Sequence, residues 1–375
     1  MIPLTLALIL AAQAPTVSPA PPPAAPIASQ ARAAPSKAWP TTEGDMALGT
    51  FKFTEGRTLP ALRLHYTTLG MPRRTADGKI VNAVMVLHGT GGSGKQFLSP
   101  QFADELYGPG QPLDIRRYYI ILPDNIGHGL SSKPSDGLRM RFPHYDYGDM
   151  VRSQRLLLDS LGVGRLRLLI GTSMGCMHAF LWGETYPDGA RALLPLACQP
   201  AQIAGLNRMW RQMVVDGIKA DPAWAGGEYR TQPVLGLRTA ASISTIAGGA
   251  PLNLQKLYPT REPAEAYVRD RVAKDIASRD ANDMIYQFES SRTYDPWPGL
   301  ERITAPMTWI NSADDFINPR GLDFPARAVA RMKNAQFRLI PETADTHGHG
   351  THTWAANWKA DLIALLARTE SSPER

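Results

Sequence analysis

Leu168-Leu169-Ile170-Gly171-Thr172-Ser173-Met174-Gly175-Cys176-Met177 is the stretch around which the chain is organised. The apolar run 166–170 reads as a buried strand, and an apolar helical pattern with Met177, Phe180 and Leu181 begins just beyond Gly175. Between them Gly171, Ser173 and Gly175 spell G-x-S-x-G. A Ser on so sharp a strand-to-helix turn has a strained backbone and an exposed hydroxyl. Gly on either side lets neighbouring segments approach without a Cβ clash. The Met174 N–H, at the helix N-terminus, then faces the point where negative charge would develop on an attacked carbonyl. Ser173 is the expected nucleophile and Met174 the expected donor to the oxyanion.

The 375 residues, 43% hydrophobic and 20% charged, are ample for one large α/β domain with an insertion. Net charge is +6. Arg32 and Lys37 precede the first acidic residue, Glu43, leaving 38 basic against 34 acidic residues from Thr41 on. No Lys/Arg cluster accompanies that excess, which argues against nucleic acid as a partner. Two cysteines, Cys176 and Cys198, cannot make a disulfide framework. Both are placed near the top of adjacent strands. Two buried free thiols are the preferred expectation, with a single bridge as the other reading.

Residues 2–12 form an apolar run too short to span a bilayer, and Ala12-Gln13-Ala14 offers an A-x-A cleavage site. Residues 1–14 are therefore read as a secretory signal peptide. The mature protein would be periplasmic or secreted, without stable membrane insertion. A miscalled start codon, leaving the protein cytoplasmic, is the alternative. Residues 15–40, dominated by Ala, Pro and Ser, read as a disordered tether.

From Gly49 the pattern is strand-like, with Phe51 and Phe53, then Leu62, Leu64 and Tyr66, suggesting two early antiparallel strands. Residues 81–87 read as a strand buried on both faces, running into His88-Gly89-Thr90-Gly91-Gly92-Ser93-Gly94. That loop lacks the Gly-Lys-Ser/Thr ending of a nucleotide loop. In an α/β-hydrolase it supplies the second oxyanion N–H, for which Thr90 is the chosen position. A strand at 118–122 leads to His128, read as a loop hydrogen-bonder, and 149–161 reads as a helix stopped by Gly162. Alternating strands and helices at short spacing give a mostly parallel sheet covered on both faces. Residues 199–300 break the alternation with helical pattern too long for a loop. They are read as a helical cap between a first core part, 41–198, and a second, 301–375.

The sheet resumes at 307–310, and Asp314 and Asp315 lie in the following turn, where this architecture places a triad acid. Asp315 is the better placed and Asp314 its rival; the other of the pair caps the turn or the next helix. After a last strand, 337–340, come His347, His349 and His352. No Cys or Glu is placed to complete a zinc site, so no metal is expected. The alternative is one imidazole taking the Ser173 proton while an Asp fixes its tautomer. Gly348-His349 before the helix expected at 354–366 favours His349. His352 is then a neighbour that shapes the site, and His347 a loop residue. No nicotinamide, flavin or PLP signature appears, so no cofactor is expected.

The chain resembles homoserine O-acetyltransferase-like members of the α/β-hydrolase superfamily over 46–367. The carrying stretches are Gly108-Pro109-Gly110 with Leu113-Asp114, Arg117-Tyr118-Tyr119, and Asp149-Met150-Val151-Arg152 with Gln154. To these are added Ser173-Met174-Gly175 with Met177. In the cap stand Ala220-Asp221-Pro222 with Trp224, Gly226-Gly227-Glu228-Tyr229 and Asp280-Ala281-Asn282. Family acetyltransferases usually read Ser-Met-Gly-Gly-Met-Gln at the elbow; here Cys176 and His178 stand in place of the second Gly and the Gln. The resemblance implies the α/β-hydrolase fold and a homodimer through the cap. The expected function is that of a serine hydrolase acting on a small-molecule ester or similar acyl compound through an acyl-enzyme. The alternative is an O-acyltransferase with the same triad. A catalytically dead binding module is disfavoured by the chain order Ser173, Asp315, His349.

Overall fold

The structure, a computed structural model, describes residues 38–370. Eight strands form one sheet: β1 (Thr42–Ala47), β2 (Arg63–Leu69), β3 (Ala83–Leu87), β4 (Tyr119–Pro123), β5 (Leu168–Thr172), β6 (Leu193–Leu196), β7 (Met307–Ser312) and β8 (Ala335–Ile340). Their spatial order is β1-β2-β4-β3-β5-β6-β7-β8. The pairs β1/β2 and β2/β4 are antiparallel, and all others are parallel.

The helices of the first core part are α1 (Pro100–Leu106), α2 (Tyr147–Leu161) and α3 (Met174–Thr185). Between β6 and β7 come α4 (Gly205–Lys219), α5 (Val234–Ala247), α6 (Pro251–Leu257), α7 (Arg261–Ser278) and α8 (Ala281–Glu289). The last two are α9 (Phe324–Val329) and α10 (Lys359–Arg368).

Strands β3 to β6 are buried at every position, which is why they read as unbroken apolar runs rather than alternating ones. Val84, Val86, Leu168 and Ile170 face a layer that includes Phe102 of α1 and Leu362 of α10. Met85, Leu87 and Leu169 face Met150 and Leu157 of α2 and Phe180 of α3. Helix α2 starts on a capping box, in which Asp146 accepts from the Asp149 N–H, and ends at Gly162 with φ of 83°. The inserted helices carry an apolar cluster of their own, centred on Trp210, Val214, Ile218, Leu237, Met284 and Phe288.

Three expectations are corrected. Both early strands form, Phe51–Lys52 and Arg63–Leu69, but they do not pair with each other: Phe51–Lys52 pairs with Thr58–Leu59 outside the main sheet, while the Phe51 and Phe53 rings are buried in the core. The strand that pairs with β2 is β1, whose sequence TEGDMA is exposed or half-exposed throughout. An edge strand wetted on both sides shows no apolar alternation to read. The closing helix begins later than expected. Residues Gly348–Thr353 and Ala355–Asn357 form 3₁₀ turns, and α10 starts only at Lys359.

The third correction concerns the cysteines. Cys176 and Cys198 are joined in a disulfide, their Cα atoms 5.8 Å apart, where free thiols were preferred. The parallel register of β5 on β6 sets Thr172 beside Leu196, so residues just past the two strand ends come together. Sequence spacing alone does not contain that register. The signal peptide at 1–14, and the tether up to residue 37, lie outside the described residues.

Candidate active site

Ser173 sits at the end of β5 with φ of 54° and ψ of −109°, a backbone conformation that L side chains rarely adopt. Two close approaches hold it there. A Cβ on Gly171 would lie 1.9 Å from the Gly175 carbonyl oxygen, and one on Gly175 would lie 2.2 Å from the Leu87 carbonyl oxygen. The Ser173 N–H donates to Leu196 O at 2.8 Å, and the Gly175 N–H donates to His88 O at 3.0 Å. The turn is thus clamped between the ends of β3 and β6.

The other two expected residues meet it. Ser173 Oγ and His349 Nε2 are 2.7 Å apart, and His349 Nδ1 and Asp315 Oδ2 are 2.8 Å apart. Asp315 follows β7, and His349 lies in the Gly348–Thr353 turn after β8. Asp315 is buried, and its second oxygen accepts from the N–H groups of Ile317 (2.8 Å) and Asn318 (3.2 Å). Burial works to raise its pKa, but attraction to His349 and the hydrogen bonds from His349, Asn318 and Ile317 outweigh it. The net shift is downward, so the carboxylate is charged at neutral pH. Asp314 does something else. Its carboxylate accepts from Ser312 Oγ, from Thr346 Oγ1 at 2.8 Å and from the Gly348 N–H at 2.9 Å, bracing the loop that carries His349.

Met174 is the first residue of α3, where a helix leaves its N–H groups without intrahelical partners. Thr90 follows Gly89, whose added Cβ would be only 3.2 Å from Ser173 Cβ, so the loop of Thr90 lies against the serine. His347 stacks on Trp354 at 3.9 Å, and the half-buried His352 ring lies 5.2 Å from that of His349. Among the described residues no three His, Cys, Asp or Glu side chains converge to hold a metal.

Several contacts around the site were not foreseen from sequence. Asn318 Nδ2 donates to Asp315 Oδ2 at 2.9 Å and to Ala197 O at 3.1 Å, linking the acid to the end of β6. Beneath the Thr90 loop, His88 Nε2 accepts from the Asn125 N–H (3.1 Å), and its Nδ1 donates to Gly89 O (2.8 Å). Gln154 Nε2 donates to Asn125 Oδ1 (2.6 Å) and to His178 Nδ1 (3.1 Å), while Gln154 Oε1 accepts from Trp182 Nε1 (2.6 Å). His128 Nδ1 donates to Ile126 O at 2.9 Å, the loop role assigned to it. From the cap, Arg211 is fully buried over the Trp210 ring and faces the Tyr147 phenol, whose other neighbours include Thr90 and Ser291. No local signal marks these contacts, because each partner comes from a different element.

Two cavities flank the site. One of about 820 Å³, mostly apolar, lies between the Asp315–Phe316 turn and Ile246, Leu254 and Tyr258 of the cap. Another, of about 460 Å³, lies between Gly91 and Gln96 on the core side and Arg279 and Gln287 on the cap side.

A serine hydrogen-bonded to an imidazole, itself oriented by a buried carboxylate, can attack an acyl carbon while the imidazole moves the proton. Fold and site together define an α/β-hydrolase-fold enzyme. A family model for the alpha/beta hydrolase fold matches residues 82–352. The homoserine O-acetyltransferase of Geobacter sulfurreducens is 30% identical over 360 residues, covering 85% of this chain and 95% of that protein. The structure of homoserine O-acetyltransferase from Bacillus anthracis superposes with a TM-score of 0.77 at 21% identity, over 89% of this chain and 99% of that one. An acetylester hydrolase from Corynebacterium glutamicum gives 0.76 at 22% identity, over 87% and 96%. The chain belongs to the α/β-hydrolase family, in its homoserine O-acetyltransferase-like branch.

The buried histidines make stability pH-dependent. Burial pushes His178 and His352 down to about 3, and it lowers His88 and His128 as well. In the unfolded chain these imidazoles take a proton near pH 6.5. Below that pH the unfolded state binds protons that the folded state refuses, so stability falls by about 1.4 kcal/mol per pH unit for each such histidine. Unfolding free energy measured by denaturant titration should drop steeply from pH 7 to pH 5. His178→Gln should flatten that slope by about one histidine's share, and an unaltered slope would show that His178 titrates normally.

Proposed function

We propose that the protein is a serine hydrolase acting on an ester or similar small acyl compound through a covalent acyl-enzyme. The observation that carries this reading is the unbroken relay from Ser173 Oγ through His349 to Asp315, with gaps of 2.7 and 2.8 Å. Ser173 Oγ attacks the carbonyl carbon as His349 Nε2 accepts its proton, and Asp315 stabilises the imidazolium. The N–H groups of Met174 and Thr90 hold the oxyanion. His349 then protonates the leaving alcohol, and water repeats the sequence in reverse to release the acid. Hydrolysis is supported over transfer by Cys176 and His178, which stand where family acetyltransferases read Gly and Gln.

A second reading, transfer of the acyl group to an alcohol, is supported by the names of the curated relatives. Both reactions share the acyl-enzyme and differ in whether water or an acceptor enters. Turnover of short p-nitrophenyl esters compared with acetyl-CoA plus homoserine separates them, the esters being the expected substrates. Ser173→Ala should lower kcat by about 10⁴-fold or more, and Asp315→Asn should cost far more rate than Asp314→Asn. Retained turnover in the serine variant refutes the nucleophile, and the reverse ranking of the two acids moves the triad by one residue.

We further propose that the protein is exported to an oxidising compartment. The leader at 1–14 and the Cys176–Cys198 disulfide both support this, since disulfides persist outside reducing cytosol. N-terminal sequencing of the protein from a periplasmic or culture fraction should find the chain beginning after Ala14. A cytoplasmic product that retains Met1 refutes export.

A homodimer through the cap is supported by Leu206, Met209 and Met213, which form an exposed apolar stripe on α4, and by exposed Leu235 on α5. Light scattering should give twice the chain mass, and Met209→Asp should shift it to one. A monomer at micromolar concentration rules the dimer out.

A further inference from the structure

We propose that the Cys176–Cys198 disulfide is a positioning element for Ser173, so that turnover depends on its oxidised state. This rests on the reading of Ser173 as nucleophile.

Ser173 is held in a conformation that persists only if its surroundings over-determine it. The helix that follows receives no side-chain hydrogen bond at its N-cap, so its first turn is held by backbone bonds alone, from the Gly175 N–H to His88 O and from the Met177 N–H to Ser173 O (3.2 Å). Cys176 is in that turn, three residues after Ser173, and is fully buried. Its partner Cys198 lies two residues after Leu196, the residue whose carbonyl accepts the Ser173 N–H. Cys198 is itself fixed at three points. Its N–H donates to Asn311 Oδ1 (3.1 Å), and its carbonyl accepts from Trp309 Nε1 (3.0 Å) and Asn311 Nδ2 (3.1 Å). Between Leu196 and Cys198 stands Ala197, at φ of 67°, whose carbonyl accepts from Asn318, the same side chain that steadies Asp315.

The bond therefore ties the turn that offers Ser173 and the Met174 N–H to the segment that holds the triad acid. A dithiol such as dithiothreitol breaks it in two exchanges. One thiolate attacks a cystine sulfur to form a mixed disulfide. The second thiol then closes on it, leaving two protein thiols and one cyclic disulfide, with two electrons and two protons transferred to the protein. Two thiols cannot sit as close as two bonded sulfurs. At a fully buried, close-packed point the separation must be taken up by α3 or by residues 197–198. A displacement on the order of 1 Å at a reacting group costs roughly 10²-fold in rate.

The test is steady-state ester hydrolysis by the oxidised and the fully reduced full-length protein, reduction being verified by titration of two thiols per chain. The expected result is a fall in kcat of about 10- to 100-fold, with KM little changed and activity restored by reoxidation. The rate of Ser173 modification by a fluorophosphonate should fall in parallel. Unchanged kcat with two titratable thiols overturns the proposal. If the reduced chain unfolds, Cys176→Ala/Cys198→Ala assayed below its melting temperature decides. A folded, slow and dithiothreitol-insensitive double variant supports the proposal. Wild-type kcat in that variant overturns it, and so does failure to fold, which would assign the bond to stability alone. Activity retained in Ser173→Ala would instead sink the nucleophile and leave the redox result to be read by itself.

Discussion

The backbone turn at Ser173 is the constraint on which the rest of the molecule depends. A residue with a Cβ occupies a positive-φ conformation there while the two glycines beside it are pressed against carbonyl oxygens of Gly175 and Leu87. Such a turn costs of order 1–3 kcal/mol and survives only because both neighbouring strands hold it. The N–H of Ser173 is taken by Leu196 of β6 and that of Gly175 by His88, the residue just past β3. A parallel sheet buried on both faces supplies those contacts, and the apolar strands β3 to β6 exist in this chain to build that sheet.

The same strand ends organise the electrostatics. Asp315 and Asp314 are adjacent in sequence, yet one carboxylate orients His349 and the other braces the loop that delivers it. This division lets the imidazole be held from two directions, through its own Nδ1 and through the Gly348 backbone. Asp315 keeps its charge despite burial because every contact it makes is a donor or a cation partner. Beneath the Thr90 loop, the Asn125 N–H donates to His88 and the Asn125 side chain accepts from Gln154, which in turn binds His178 and Trp182. Burial holds the His178 imidazole in its neutral form there.

The helices between β6 and β7 bury an apolar cluster largely of their own and meet the core through both aromatic and polar side chains, Tyr286 packing on Phe142 and Tyr145. Arg211 faces Tyr147, and Asn253 Nδ2 donates to Ala344 O at 2.9 Å. Cap residues line one wall of each cavity, the one beside Asp315 and the one beside Gly91 and Gln96.

Much of this was legible from residues alone. The elbow, its strand and helix, the parallel core and the order Ser173, Asp315, His349 are all local patterns: an apolar run, a glycine pair, a carboxylate or an imidazole in a turn after a strand. Edge strand β1 was not legible, because a strand wetted on both faces has no periodicity to show. What the sequence by itself determined is which segments must be buried and which residues sit at strand ends. Only the tertiary structure decided which of those ends meet. It set Asp315 rather than Asp314 against His349, joined Cys176 to Cys198 and brought Asn318 between Asp315 and Ala197. Burial and turn propensity are written in neighbouring residues, whereas the meeting of residues 22 to 176 positions apart is set by the packing and register of the whole sheet.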